Sequence, residues 1–301
     1  MFLCRCALVI SAIVITLTSA VAQLGSLPEV EFSSLSQSDP NPLGARALAI
    51  RPEEWKHAET DHFIYHFFHG YVATPISVEA EFYYRVIVKE LERDPPGGDT
   101  KSHIYIFEKP EDWRAFQKLG QLEPWTGGIH SMGTLFIQRN PAYRFSSSLL
   151  GHEIAHLIMH RYYPDGIPRW LDEGFAQYVA SNAHASYRRA RGYIAKPHSS
   201  SIPPEKLFPI QTLVAMVDYP TEDEKVTAFY RESERLVRFL AATDKSSFLG
   251  LLDALSRHQP FERMLLTYYS GKFASLAGLD SAFRDYAANE FAIANGSEPA
   301  D

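Results

Sequence analysis

Two histidines stand four residues apart in Gly151-His152-Glu153-Ile154-Ala155-His156. On an α-helix, positions i and i+4 lie one turn apart on the same face. Two imidazoles so placed can converge on one ion at roughly 2.0–2.1 Å. The glutamate beside the first histidine can then reach a water on that ion, as a general base must. A third ligand is offered by Pro168-Arg169-Trp170-Leu171-Asp172-Glu173-Gly174-Phe175-Ala176, which opens a second predicted helix. Pro168 suits its first turn. Glu173 sits one to two turns in, followed by small residues that permit close helix packing. The connecting Tyr162-Tyr163-Pro164-Asp165-Gly166 is turn chemistry, which folds the second helix back on the first. Two histidines and one carboxylate, with a fourth position left to water, make a catalytic zinc set of one ion per chain. The plain alternative for the first motif is an ordinary helix that happens to carry two histidines and a glutamate. Glu173 in its own helical context argues against it. His160 continues the series on the same face, but eight residues of straight helix put it about 12 Å from His152 along the axis. It reads as packing or as a supporting residue.

The element that must present these groups is credible as a helix. Ser146, Ser147 and Ser148 offer N-caps, and Leu150, Ile154, Leu157 and Ile158 give a core-facing stripe. Upstream, His62–Phe68 suits a strand and Val78–Leu91 a helix with Tyr83, Val86, Ile87 and Leu91 on one side. His103–Phe107 reads as a strand, Glu111–Leu119 as a helix, and Gly127–Gln138 as extended chain. From Ser146 onward nearly everything reads as helix, over about 146–161, 168–182, 207–217, 224–241, 246–257, 260–269 and 278–291. The expected architecture is α+β, an N-terminal mixed sheet with helices followed by a mainly helical lobe. The domain is expected over 51–295, with lobes at about 51–145 and 146–295. Residues 23–50, rich in Ser, Pro, Leu and Ala, read as a linker or N-terminal arm.

The two metal motifs together resemble those of the gluzincin metallopeptidases. They are closest to the peptidase-MA-like group and more distantly similar to the aminopeptidase-N type. The resemblance runs from about Trp55 to about Phe291 and implies a thermolysin-like zincin fold, its active-site cleft between the lobes. No glycine separates His156 from His160, so the metzincin arrangement is not available. Phe229-Tyr230-Arg231-Glu232-Ser233-Glu234-Arg235-Leu236-Val237 resembles the helix whose tyrosine stabilises the oxyanion in the aminopeptidase-N type, and Tyr230 falls on that tyrosine. A core tyrosine is the competing reading, since Val226, Tyr230, Val237 and Leu240 fit an apolar stripe. The chemistry implied is amide hydrolysis. Zinc lowers the pKa of a bound water to about 7. Glu153 takes the proton as water attacks the carbonyl and passes it to the leaving amine. In the aminopeptidase-N type, a GxMEN strand ahead of HExxH supplies a glutamate that binds the substrate's free amine. The comparable segment here is Gly127-Gly128-Ile129-His130-Ser131-Met132, which makes Gly128, Ile129 and His130 the expected substrate-binding residues. His130 stands nearest the position of that glutamate, so cleavage within peptides is expected over stepwise removal of N-terminal residues.

Composition narrows the remaining classes. The chain has 301 residues, 46% hydrophobic and 22% charged, which is ample for a core. The net charge of -7 and the lack of a Lys/Arg-rich block disfavour nucleic acid as a partner. A peptide or protein substrate is expected. Arg5, the apolar run Ala7–Thr16 and Ala20-Val21-Ala22 read as an export signal over 1–22, placing the mature protein in the periplasm or outside the cell. Stable membrane insertion is expected only if that segment is retained as an anchor. Both cysteines, Cys4 and Cys6, fall within it, so the mature chain has neither disulfides nor a cysteine nucleophile. Glu222-Asp223-Glu224 reads as a charge cluster at a helix N-terminus, and Asn295-Gly296-Ser297 is a sequon. The competing functional class is a peptide-binding or structural protein on a zinc peptidase scaffold. A scaffold needs the three ligands but not the base, so an intact Glu153 favours chemistry.

Overall fold

The computed structural model describes residues 26–122, 127–139, 148–190, 192 and 202–294. The expected signal segment, Ser146, Ser147 and the sequon lie outside the described residues.

Six strands form one mixed sheet: β1 (Glu29–Val30), β2 (Lys56–Glu59), β3 (Phe63–Phe67), β4 (Ser102–Phe107), β5 (Gly128–Ser131) and β6 (Thr134–Gln138), in the order β1-β2-β3-β4-β6-β5. β3, β4 and β6 run parallel, while β1 and β2 extend one side antiparallel. β5 and β6 form a hairpin that leaves β5 on the edge. The side chains of the central strands alternate between two cores, as strand geometry requires. Phe63, Tyr65, Phe67, Ile104, Ile106, Leu135 and Ile137 join the larger one. Phe68, Tyr105, Phe107 and Phe136 join Trp55, Trp113 and Phe116 in the smaller. The first face carries α2 (Gly70–Leu91), and the second carries α1 (Pro42–Leu48) and α3 (Pro110–Gly120).

The helical part follows: α4 (Ser148–Tyr162), α5 (Arg169–Ala190), α6 (Ile210–Ala215), α7 (Asp223–Thr243), α8 (Lys245–Ser256), α9 (Phe261–Tyr268) and α10 (Leu276–Ala294). The fold is therefore α+β, with the sheet before the helices. No helix among the described residues is long and apolar enough to cross a membrane.

The expected linker or arm of residues 23–50 is, from residue 26, an arm packed on the sheet. β1 pairs with β2, Leu27 and Ala47 are buried, and the Asn41 amide donates to the Ser131 carbonyl at 2.7 Å. α2 begins eight residues before the expected Val78, running past Pro75. α5 runs eight residues beyond the expected 182.

Candidate metal centre

α4 is built as its stripe predicts. Leu150, Ile154, Leu157 and Ile158 are buried. Gly151 lets α4 meet α2, since a Cβ there would lie 2.6 Å from the Tyr83 ring. After α4 the chain turns, with the Gly166 amide donating to the Tyr163 carbonyl at 2.9 Å. α5 then starts on the Pro168 carbonyl, which accepts from the Leu171 and Asp172 amides at 2.9 and 3.0 Å.

This fold-back brings Glu173 to the two histidines. Nε2 of His152 and Nε2 of His156 are 3.0 Å apart. Oε2 of Glu173 is 3.3 Å from the first and 3.4 Å from the second. Ligands at roughly 2.0–2.1 Å on a tetrahedral ion stand roughly 3.3–3.4 Å from one another, so the triangle has the size of a zinc site. The side chains keep 14%, 13% and 8% of their exposure, so this is an enclosed donor set. Oε2 of Glu173 is buried without a hydrogen-bond partner, and a cation would satisfy it. The residues fit a divalent ion, and the two imidazoles with one carboxylate suit zinc. Among the described residues this is the one group of three or more such side chains close enough to hold a metal.

The surroundings orient the donors. Nδ1 of His156 lies 3.0 Å from Oδ1 of Asp172, so Nδ1–H donates there and the Nε2 lone pair is left to the ion. Burial opposes a charge on His156, but Asp172 and Glu173 outweigh it and raise its pKa well above the usual histidine value. Burial likewise opposes the charge on Glu173, yet the facing imidazoles and the Tyr219 hydroxyl hold its carboxyl below the usual range. That hydroxyl donates to Oε1 of Glu173. Burial pushes Glu153 above the usual carboxylate range, against the pull of His152 and His156.

Tyr230 is half-buried on α7, its ring centroid 6.5 Å from that of His152. Burial and the Glu173 charge raise the pKa of its hydroxyl. Gly174 sets this approach. A Cβ there would lie 2.5 Å from the Ser233 carbonyl oxygen, so only glycine lets α5 and α7 pack this closely. On the other side, β5 runs beside α4, and a Cβ on Gly128 would lie 3.5 Å from Cγ of Glu153. Ile129 turns the other way, onto the smaller core. His130 turns toward α4, its ring 4.8 Å from that of the exposed His160. Nε2 of His130 is buried without a partner. Burial, His160 and His156 push His130 down to about 3, which keeps it neutral. The structure thus brings together His152, Glu153, His156, Glu173, Tyr230 and Gly128. His130, on the same face of β5 as Gly128, packs on His160 of α4 within reach of the His156 charge, while Ile129 points away into the smaller core.

Sequence reasoning missed Asp172 and Tyr219. Asp172 adjoins a ligand, but adjacency does not show that it faces His156. Tyr219 sits in the α6–α7 loop, where no periodicity marks it. No protein-family model matches the chain, and no curated protein matches it.

Proposed function

We propose that this chain is a zinc-dependent peptidase of the gluzincin kind, with a thermolysin-like fold, acting on peptides or proteins after export. The observation that carries the reading is the close triangle of His152 Nε2, His156 Nε2 and Glu173 Oε2, with Glu153 beside it. His152, His156 and Glu173 would hold the zinc, which would supply acidification of a water molecule and polarisation of the substrate carbonyl. The protein's own residues supply the rest. A carboxylate whose pKa lies above the usual range holds a proton more readily, so Glu153 suits taking one from the attacking water. The same carboxyl then delivers the proton to the leaving amine. The Tyr230 hydroxyl donates to the oxygen of the attacked carbonyl as charge develops there. Asp172 keeps His156 in the tautomer that presents Nε2. The outer edge of β5, from Gly128 to His130, pairs with no further strand among the described residues and would offer backbone groups to an extended substrate.

The test is Glu153→Gln in the purified chain, read by metal analysis and by cleavage of a mixed peptide library. The wild-type protein is expected to hold one zinc per chain and to hydrolyse peptides. The variant is expected to keep zinc and fold but lose about 10²–10⁴-fold in rate. A wild-type chain that binds zinc and cleaves nothing overturns the reading. A variant that loses zinc overturns the role of Glu153 as base.

A further inference from the structure

Tyr219 belongs to no motif, yet it touches the metal centre. Its hydroxyl donates to Oε1 of Glu173, while Oε2 is the oxygen turned to the two imidazoles. Its ring stacks on Tyr230, centroids 5.8 Å apart with planes 18° from parallel. Its edge meets Phe229, centroids 5.9 Å apart. The Arg169 guanidinium lies 4.5 Å from the Tyr219 ring centroid. Nε of Arg169 also donates to the Val217 carbonyl at 2.7 Å. Arg169 opens α5, one turn before Glu173. One helix therefore grips the α6–α7 loop at its first residue and receives the loop's tyrosine at its metal ligand.

We infer that Tyr219 is the positioning residue of the metal centre, fixing the Glu173 carboxylate so that Oε2 faces His152 and His156, and that Arg169 acts through it by fixing the loop. This rests on the metal reading above. The physical reason is the softness of the last carboxylate torsion, which is broad and roughly two-fold. A hydrogen bond to one oxygen commits the other. The Tyr219 side chain also hydrogen-bonds to that of Tyr230, so one tyrosine links the ligand carboxylate to the other.

The experiment is zinc competition against a chromogenic chelator, using the full chain with Tyr219→Phe, Arg169→Met and the double variant. Phenylalanine keeps the ring stack and the cation contact and removes only the hydroxyl. Tyr219→Phe is expected to weaken zinc retention about 10–100-fold, the usual effect of losing a partner of a ligand. Its thermal midpoint in excess EDTA is expected to match wild type, which a merely structural role would not allow. Arg169→Met is expected to weaken zinc less, and the double variant no more than Tyr219→Phe alone. Wild-type retention in Tyr219→Phe overturns the inference, as does an EDTA midpoint lowered in proportion to the zinc loss. Additive losses in the double variant overturn the role given to Arg169. A wild-type chain that takes up no zinc overturns the metal reading and this inference together. A zinc-binding wild type with an equally retentive Tyr219→Phe overturns this inference alone.

Discussion

In the reaction proposed above, Glu153 is the base, and its surroundings act on its proton affinity in opposite directions. Burial raises its affinity for a proton, and His152 and His156 draw it back. On the proposed reading, Tyr230 works at the other end of the reaction. It is close enough to Glu173 and Glu153 to feel both charges. Tyr230→Phe is expected to lower kcat about 10²–10³-fold, the usual cost of one oxyanion donor. Zinc content should not change. Steady-state kinetics with parallel metal analysis checks this, and an unchanged kcat returns Tyr230 to a packing role. At this scale, what the sequence revealed follows from distance along the chain. His152, Glu153 and His156 lie within little more than one helical turn, so the helix period alone predicts their convergence. Asp172 meets His156 from 16 residues away, Tyr219 meets Glu173 from 46, and Arg169 meets Val217 from 48. Those contacts depend on how helices and loops dock, which no local period records.

Two helix pairs and one row of strands set the geometry around these residues. The α5–α7 contact depends on Gly174. An added methyl would lie 2.5 Å from the Ser233 oxygen and 2.7 Å from its carbonyl carbon, both backbone atoms that cannot rotate away. Alanine gains about 1 kcal/mol in helix propensity over glycine. Overpacking against fixed atoms typically costs about 1–3 kcal/mol. Gly174→Ala is therefore expected to lower stability on balance and to move Tyr230 away from His152, lowering kcat as well. A urea midpoint at or above wild type would contradict this. Across β2, β3 and β4 runs a chain of imidazoles. His57 Nδ1 is 2.8 Å from His66 Nδ1, and His66 Nε2 is 2.9 Å from His103 Nδ1. Each contact holds one proton. Burial lowers all three pKa values, while Asp39 and Glu59 pull His103 the other way. In the unfolded chain they titrate near 6.5. Their contribution is thus complete above about pH 6.5 and is lost as pH falls through the lowered folded values. His156, whose value is raised, has the opposite sign. Each histidine left in net excess steepens the loss by about 1.4 kcal/mol per pH unit. Urea unfolding of the protein in excess EDTA at pH 7.0 and 5.0 should show lower stability in acid, and a flat profile would refute the account. The α4 and α5 helices were legible from apolar spacing. β1 and β2 were not, because two and four residues are too few to display an alternation. Pairing defines them instead, β2 with β3 and β1 with β2.

The whole molecule places its centre where the sheet ends and the helices begin. β5 is the edge strand, α4 lies beside it, and α5 and α7 close the far side. That broad division was legible, since strand-like segments give way to helical ones near Ser146. The packed arm was not, because Leu27, Asn41 and Ala47 find their partners only in the finished sheet. The arrangement bears on which bond is cut. An enzyme that counts from the N-terminus needs a fixed negative charge near the metal to hold the substrate's ammonium group. By the resemblance to the aminopeptidase-N type, His130 is the residue nearest the position of that charge on β5, and it is turned toward α4 and kept neutral by burial. A neutral imidazole does not hold an ammonium as a carboxylate does. The acidic residues at the start of α7 are exposed, and Glu222 is paired with Lys225 at 2.7 Å. Charges so exposed to water hold an ion weakly. The outer edge of β5, which meets no further strand among the described residues, would on the proposed reading pair with backbone on both sides of a scissile bond and require no terminus. Cleavage inside peptides is therefore expected. The measurement is a matched pair of peptides, one with a free N-terminus and one acetylated, with products identified by mass. Both should be cut at the same internal bond with kcat/KM values within a few-fold. Strict dependence on the free amine, with residues released singly and in order, would mean that another carboxylate anchors the terminus and that β5 is not what selects the bond.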